Sequence, residues 1–201
     1  CLAHFVHPSP GGAAGVLIWP DIFGLRPAMR TMGKRLAGSG YSVLVVNPFY
    51  RVGKPTATGA TPIKEMMAFR KGMSASTDMM DAKTFVAWLD AQPQVNKNRK
   101  VGVQGYCMGG PMSFHTASAV PDRIGAVASF HGGGLVNDAG GPNSPHLLAA
   151  ATKASFLIAI AENDDKQRPN EKTVLKETID KAKLSAEIEV YQAAHGWWPP
   201  D

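Results

Sequence analysis

The feature that most constrains this chain is an alternation of two kinds of segment. Short runs rich in β-branched and aromatic residues (16–19, 42–46, 100–104, 126–130, 156–161 and 187–191) read as strands. Between several of them lie helical patterns over 27–37, 77–90, 108–119 and 169–183, the first opened by Pro27 and carrying Met29, Met32 and Leu36 on one stripe. Strand and helix in turn predict an α/β fold, a mostly parallel central sheet with helices on both faces. The stretch 53–76, with Pro55, Gly59, Pro62 and Gly72, has no clean period and is expected to form a partly helical excursion over the site. Neither an internal repeat nor a low-complexity tail is present.

At 201 residues the chain is expected to form one domain, 1–201, with one site. Apolar residues make up 44% and charged residues 18%, and no run is apolar for long enough to span a bilayer, so no membrane partner is expected. The net charge of +5 is spread over scattered residues such as Arg26, Lys34, Arg51, Lys97 and Lys181, which argues against nucleic acid as a partner. The two cysteines, Cys1 and Cys107, make no disulfide framework. Together with the absence of a charged-then-apolar leader, this suggests a reducing, cytoplasmic setting, and either a monomer or a homodimer fits.

In open parallel sheets, ligands bind in the loops that leave the carboxyl ends of the strands. Five such loops stand out: Pro20-Asp21-Ile22-Phe23-Gly24, Pro48-Phe49-Tyr50-Arg51, Gly105-Tyr106-Cys107-Met108-Gly109, Glu162-Asn163-Asp164-Asp165 and Ala194-His195-Gly196-Trp197-Trp198. The third has the form Gly-x-Cys-x-Gly between a strand and a helix, the setting of a nucleophile elbow. Its glycines leave room for a strained turn that exposes the central side chain. A thiol at a helix N-terminus is expected to ionise more readily, because unpaired N–H groups and the helix dipole favour the thiolate. The Met108 amide, with that of Ile22 from the first loop, is the expected oxyanion hole.

An acid after a later strand and a histidine after the last one complete the order nucleophile, acid, base along the chain, which is the α/β-hydrolase order. His195 is the base, and Asp164 the expected acid, with Asp165 and Glu162 as competitors. The string His131-Gly132-Gly133-Gly134 copies the oxyanion loop of some lipases but follows the nucleophile instead of preceding it, so it reads as a strand-end turn in which His131 can touch the pocket. His115, about two helical turns beyond Cys107, is expected to pack. Phe23, Tyr50, Tyr106 and Trp197 are expected pocket walls, with Met66, Met67 and Phe69 as further candidates. No metal and no organic cofactor is called for.

With these residues in place, the chain resembles the dienelactone hydrolase family over nearly its whole length. The resemblance rests on Trp19-Pro20-Asp21-Ile22-Phe23-Gly24-Leu25, Gly40-Tyr41 through Tyr50-Arg51, Gly105-Tyr106-Cys107-Met108-Gly109-Gly110, the strand end at Asp164, and His195-Gly196-Trp197. It implies a thiol nucleophile at Cys107, base His195, acid Asp164 and oxyanion donors Ile22 and Met108, acting on a small ester or lactone through a thioester. Three departures stand against it. Where the family holds a Glu that contacts the resting thiol, this chain has the shorter Asp21 as a possible thiol partner. Of two arginines that bind a substrate carboxylate, the one after the histidine is replaced by Trp198-Pro199-Pro200, and Arg70 is a loose candidate for the other. A C-terminal helix that normally follows the histidine is expected to be missing, leaving apolar surface near the last strands. The alternative reading is a hydrolase fold that serves as a non-catalytic ligand-binding or interaction module. Glutamine-amidotransferase-like enzymes also carry an elbow cysteine, but their His-x-Glu pattern is absent here.

Overall fold

The computed structural model describes residues 3–52 and 61–199. Seven strands form one sheet: β1 (Ala3–Val6), β2 (Ala14–Trp19), β3 (Tyr41–Val46), β4 (Val101–Tyr106), β5 (Ile124–Phe130), β6 (Ser155–Ala161) and β7 (Ala186–Tyr191). Their order across the sheet is β1-β3-β2-β4-β5-β6-β7. All neighbours run parallel except β1, which pairs antiparallel with β3, Ala3 opposite Val46. The six parallel strands lie where the sequence periodicity puts them. β1, four residues at the sheet edge, carries too short a pattern to be read, and its pairing covers the free edge of β3.

Every residue of β2 is buried, because alternate side chains face two different layers. Val16 and Ile18 pack with Met29 and Met32 of α1 (Pro27–Gly38). Leu17 and Trp19 point the other way, into a larger core. That core is closed by α3 (Ala75–Asp90), α4 (Gly109–Ala119) and α7 (Glu171–Lys181). In α3 the buried positions Asp78, Ala82, Phe85, Val86 and Leu89 form one helical stripe, and in α7 Leu175 and Ile179 sit four apart. Trp19 donates its indole N–H to Thr116 of α4 at 2.8 Å, so the ring is buried without an unpaired polar group.

Within the excursion, α2 (Ile63–Lys71) begins after Pro62, and residues 53–60 of the expected stretch lie outside the described residues. α3 starts two residues before the expected position, since Ser74 caps it and exchanges hydrogen bonds with Thr77 in a capping box. Two short helices were not foreseen: α5 (Pro145–Leu148) and α6 (Glu162–Gln167). α6 consists of polar residues only, so it has no apolar period to read, and the expected loop at 162–165 is its first turn.

His115 is buried in α4 with its Nδ1 3.0 Å from the Asp78 carboxylate, the packing role expected of it. At the far edge, Ala186 and Ile188 face α7, while Glu187 and Glu189 stand exposed on the α1 side. The same strand also exposes Val190 and Tyr191, and Trp198 shortly after it is exposed, so apolar surface lies near the last strand as expected, interleaved with carboxylates. Among the described residues, no helix is long and apolar enough to cross a membrane.

Candidate active site

β4 delivers the chain into a turn that only particular neighbours permit. Cys107 sits at φ +50°, a left-handed conformation that costs a side-chain-bearing residue energy. A Cβ on Gly105 would lie 1.9 Å from the Gly109 carbonyl oxygen, and one on Gly109 would lie 2.3 Å from that of Trp19. Glycine is required at both positions so that β4, the start of α4 and the end of β2 can close on one another. The turn is pinned by its own backbone: the Cys107 amide donates to the Phe130 carbonyl at 3.0 Å, and the Cys107 carbonyl accepts from Gly110 at 3.0 Å.

The β6 end supplies a carboxylate. Asp164, in the first turn of α6, places Oδ2 2.7 Å from Nδ1 of His195, leaving the other ring nitrogen for the thiol side. The two competitors have other partners: Asp165 binds Lys172 with both oxygens at 2.7 Å, and Glu162 binds Lys166 at 2.8 Å. Asn163, which sequence reasoning passed over, accepts the His195 backbone N–H at 2.7 Å and so fixes the loop that bears His195. The His195 imidazole is pushed up to about 9, first by its hydrogen bond with Cys107 and then by Asp164, against the lowering effect of burial. Cys107, His195 and Asp164 therefore form a connected chain in which His195 holds a proton well above neutral pH.

Ile22 and Met108 flank the cysteine and line the same cavity of about 490 Å³. Among the described residues, neither amide donates to a backbone carbonyl or a side chain in the turn, as oxyanion donors require. The remaining walls include Phe23, Ile63, Met67, Pro111, His131 and Arg70. Ile63 was not singled out from sequence, because nothing but the tertiary fold brings it to Cys107.

Four expectations need correction. Asp21 lines the cavity, but its carboxylate is held by the Arg26 guanidinium at 2.6 and 2.9 Å and by the Phe23 amide at 2.9 Å. Its hydrogen bonds thus run within its own loop and not to the thiol. Tyr50 is no pocket wall: its hydroxyl donates to Asp81 at 2.7 Å, and burial with that carboxylate pushes it up to about 12. Tyr106 is 2% exposed and turns to the opposite face of the sheet, stacked on Phe130 at 5.0 Å, because it precedes the cysteine on an alternating strand. Trp197 lies behind the site, stacked on Tyr191 at 5.8 Å and edge-on to His131 at 5.0 Å. Of the candidates in α2, Met66 is core and Phe69 packs on Phe49, while Met67 faces the cavity.

Comparison with known proteins places this geometry. The model of the dienelactone hydrolase family matches residues 3–201. A carboxymethylenebutenolidase of Rhodococcus opacus is 29% identical over 125 residues, a match that spans 61% of this chain and 46%, about half, of that protein. A solved structure from Klebsiella pneumoniae superposes with a TM-score of 0.83 at 21% identity, over 97% of this chain and 81% of that one. The dienelactone hydrolase of Anabaena variabilis does so with a TM-score of 0.64 at 19% identity, over 98% and 83%. Identities this low make the structural likeness a statement about fold.

Proposed function

The chain belongs to the dienelactone hydrolase family, and from that premise we propose that it hydrolyses a small carboxylic ester or lactone by acyl transfer through Cys107. The observation that carries this reading is the chain of contacts from Asp164 through His195 to Cys107, beside the Ile22 and Met108 amides, which have no partner among the described residues, in an apolar-walled cavity.

In the first step the Cys107 thiolate attacks the substrate carbonyl carbon, and the carbonyl electron pair moves onto oxygen, where the Ile22 and Met108 amides receive it. Collapse of that adduct breaks the bond to the leaving oxygen, which takes the proton from the His195 imidazolium. A thioester is left. Water then gives a proton to His195 as it attacks the thioester, and collapse expels the thiolate with release of the acid. Asp164 holds the ring in one tautomer throughout and stabilises its charge. The walls Ile22, Phe23, Ile63, Met67 and Pro111 suit an apolar acyl or alkyl group, and Arg70 is the cation within reach of a substrate carboxylate.

The test is hydrolysis of a panel of small esters and lactones by the wild type, Cys107→Ala, His195→Ala and Asp164→Asn, with mass spectrometry for an acyl adduct on Cys107. Turnover lost by roughly a thousandfold or more in the first two variants, and an adduct on the wild type, are the expected results. Turnover equal in all four proteins, or absent in all with an unreactive thiol, would overturn the reading in favour of a binding module.

A further inference from the structure

Beneath the catalytic imidazole lies a second histidine that the acyl-transfer steps do not use. His131 follows β5, the strand between the one that delivers Cys107 and the one that delivers Asp164. His195 must span from one neighbour to the other, and its ring therefore passes over the end of β5. The two rings lie 4.8 Å apart, centroid to centroid, at 60°. His131 is 1% exposed, and among the described residues neither ring nitrogen has a hydrogen-bond partner. Its backbone is unusually constrained, at φ +41° and with its amide donating to Ala159 of β6 at 2.8 Å. The residues on either side are tied to the nucleophile: Phe130 accepts from the Cys107 amide, and Gly133 donates to the Cys107 carbonyl at 3.4 Å. Trp197 closes the far side of the ring at 5.0 Å.

We propose that His131 is the positioning residue of the base: its uncharged ring, fixed between β4 and β6, holds the His195 imidazolium in line between Cys107 and Asp164. This rests on the acyl-transfer reading above. The other partners of the His195 ring are Asp164 and Cys107 at its edges, the Asn163 contact reaches its backbone, and its side chain is partly open to solvent. A cation beside a neutral aromatic ring is attracted to its π system, so an uncharged ring at this place both seats the imidazolium and favours its charge. A second positive charge would repel it. The titratable groups that face His131 are His195 and Asp164, with Tyr106 packed at 6.3 Å, and burial with the neighbouring imidazolium drives His131 down to about 4. Between about pH 4 and 9 it is thus neutral while His195 is charged.

The experiment uses the full chain as wild type, His131→Asn and His131→Phe. Asn removes the ring but tolerates a positive φ, and Phe keeps a ring without nitrogens. Three quantities are read: 4-nitrophenyl acetate hydrolysis, the pH profile of Cys107 alkylation by iodoacetamide, and the NMR titration of the His195 ring. In His131→Asn, kcat falls about tenfold or more with KM within about threefold, as misplacement of a base demands. The His195 midpoint moves down and the alkylation profile shifts with it, whereas His131→Phe recovers most of the loss. An unchanged titration in His131→Asn, or a Phe variant as impaired as the Asn one, would overturn the proposal. Should the Asn variant fail to fold, the wild type decides: a His131 resonance that titrates above about pH 6 excludes a neutral seat. If no ester is turned over even by the wild type, the acyl-transfer reading fails on its own, since titration and alkylation still report whether His131 positions His195.

Discussion

The proton on His195 ties the site to the stability of the fold. Its imidazole is raised from 6.5 to about 9, so the folded state binds this proton more tightly than the unfolded chain does. The resulting stabilisation is fully present below about pH 6.5 and is lost as pH rises through about 9. Thermal melting of the wild type between these limits is therefore expected to show a fall in Tm that is flattened in His195→Ala, and an identical fall in both proteins would exclude the linkage. Asp21 invites a different test. Its buried carboxylate holds the equally buried Arg26 guanidinium with two hydrogen bonds, so Asp21→Ala removes a bidentate partner of a buried charge and is expected to cost about 1–3 kcal/mol. Chemical denaturation measures this, and slower acyl transfer should accompany it because the Ile22 amide belongs to the same loop. At this scale the residue types were legible, but the choice of Asp164 over Asp165 depends on Lys172, a helix away, which takes the second carboxylate. Tyr50 and Tyr106 were misassigned because an aromatic beside a motif says nothing about which face of the sheet it leaves.

Elements were read well wherever they had a period. β2 to β7 and the helices α1, α3 and α7 announce themselves by alternation or by a stripe every three to four residues, while α4, buried at nine consecutive positions, is marked by the glycine turn that opens it. β1 and α6 do not, one too short and at an edge, the other wholly polar. The consequence for the site is direct, since Asp164 lies in α6 and takes its direction from a helical turn. The turn between β4 and α4 is the element on which the proposed acyl transfer depends most. In Gly105→Ala the new methyl would stand 1.9 Å from a backbone oxygen, which no side-chain movement can relieve. A loss of about 3 kcal/mol or more, or failure to fold, is expected in urea unfolding. Near-wild-type stability would mean that the turn is far more pliable than its contacts imply.

Over the whole molecule, one sheet carries two cores. Leu17 and Ile18 are adjacent on β2 and completely buried, yet one faces the α3 and α4 layer and the other faces α1. Leu17→Ala and Ile18→Ala should each cost about 2–5 kcal/mol, and far- and near-ultraviolet circular dichroism should still melt together, because the shared strands couple the layers. Separate transitions would show that the layers unfold independently. The sequence by itself determined the α/β class, the strand-helix order, the cysteine in its Gly-x-Cys-x-Gly turn and the order of Cys107, Asp164 and His195 at three strand ends, because periodicity and turn chemistry are local and survive in one dimension. The tertiary structure alone decided which carboxylate meets His195, that Asp21 is bound to Arg26, that Tyr106 leaves by the far face, and that His131 lies against the His195 ring. These are contacts between strands and helices far apart in the chain, and their partners are chosen by sheet order and crossover, which no local pattern encodes.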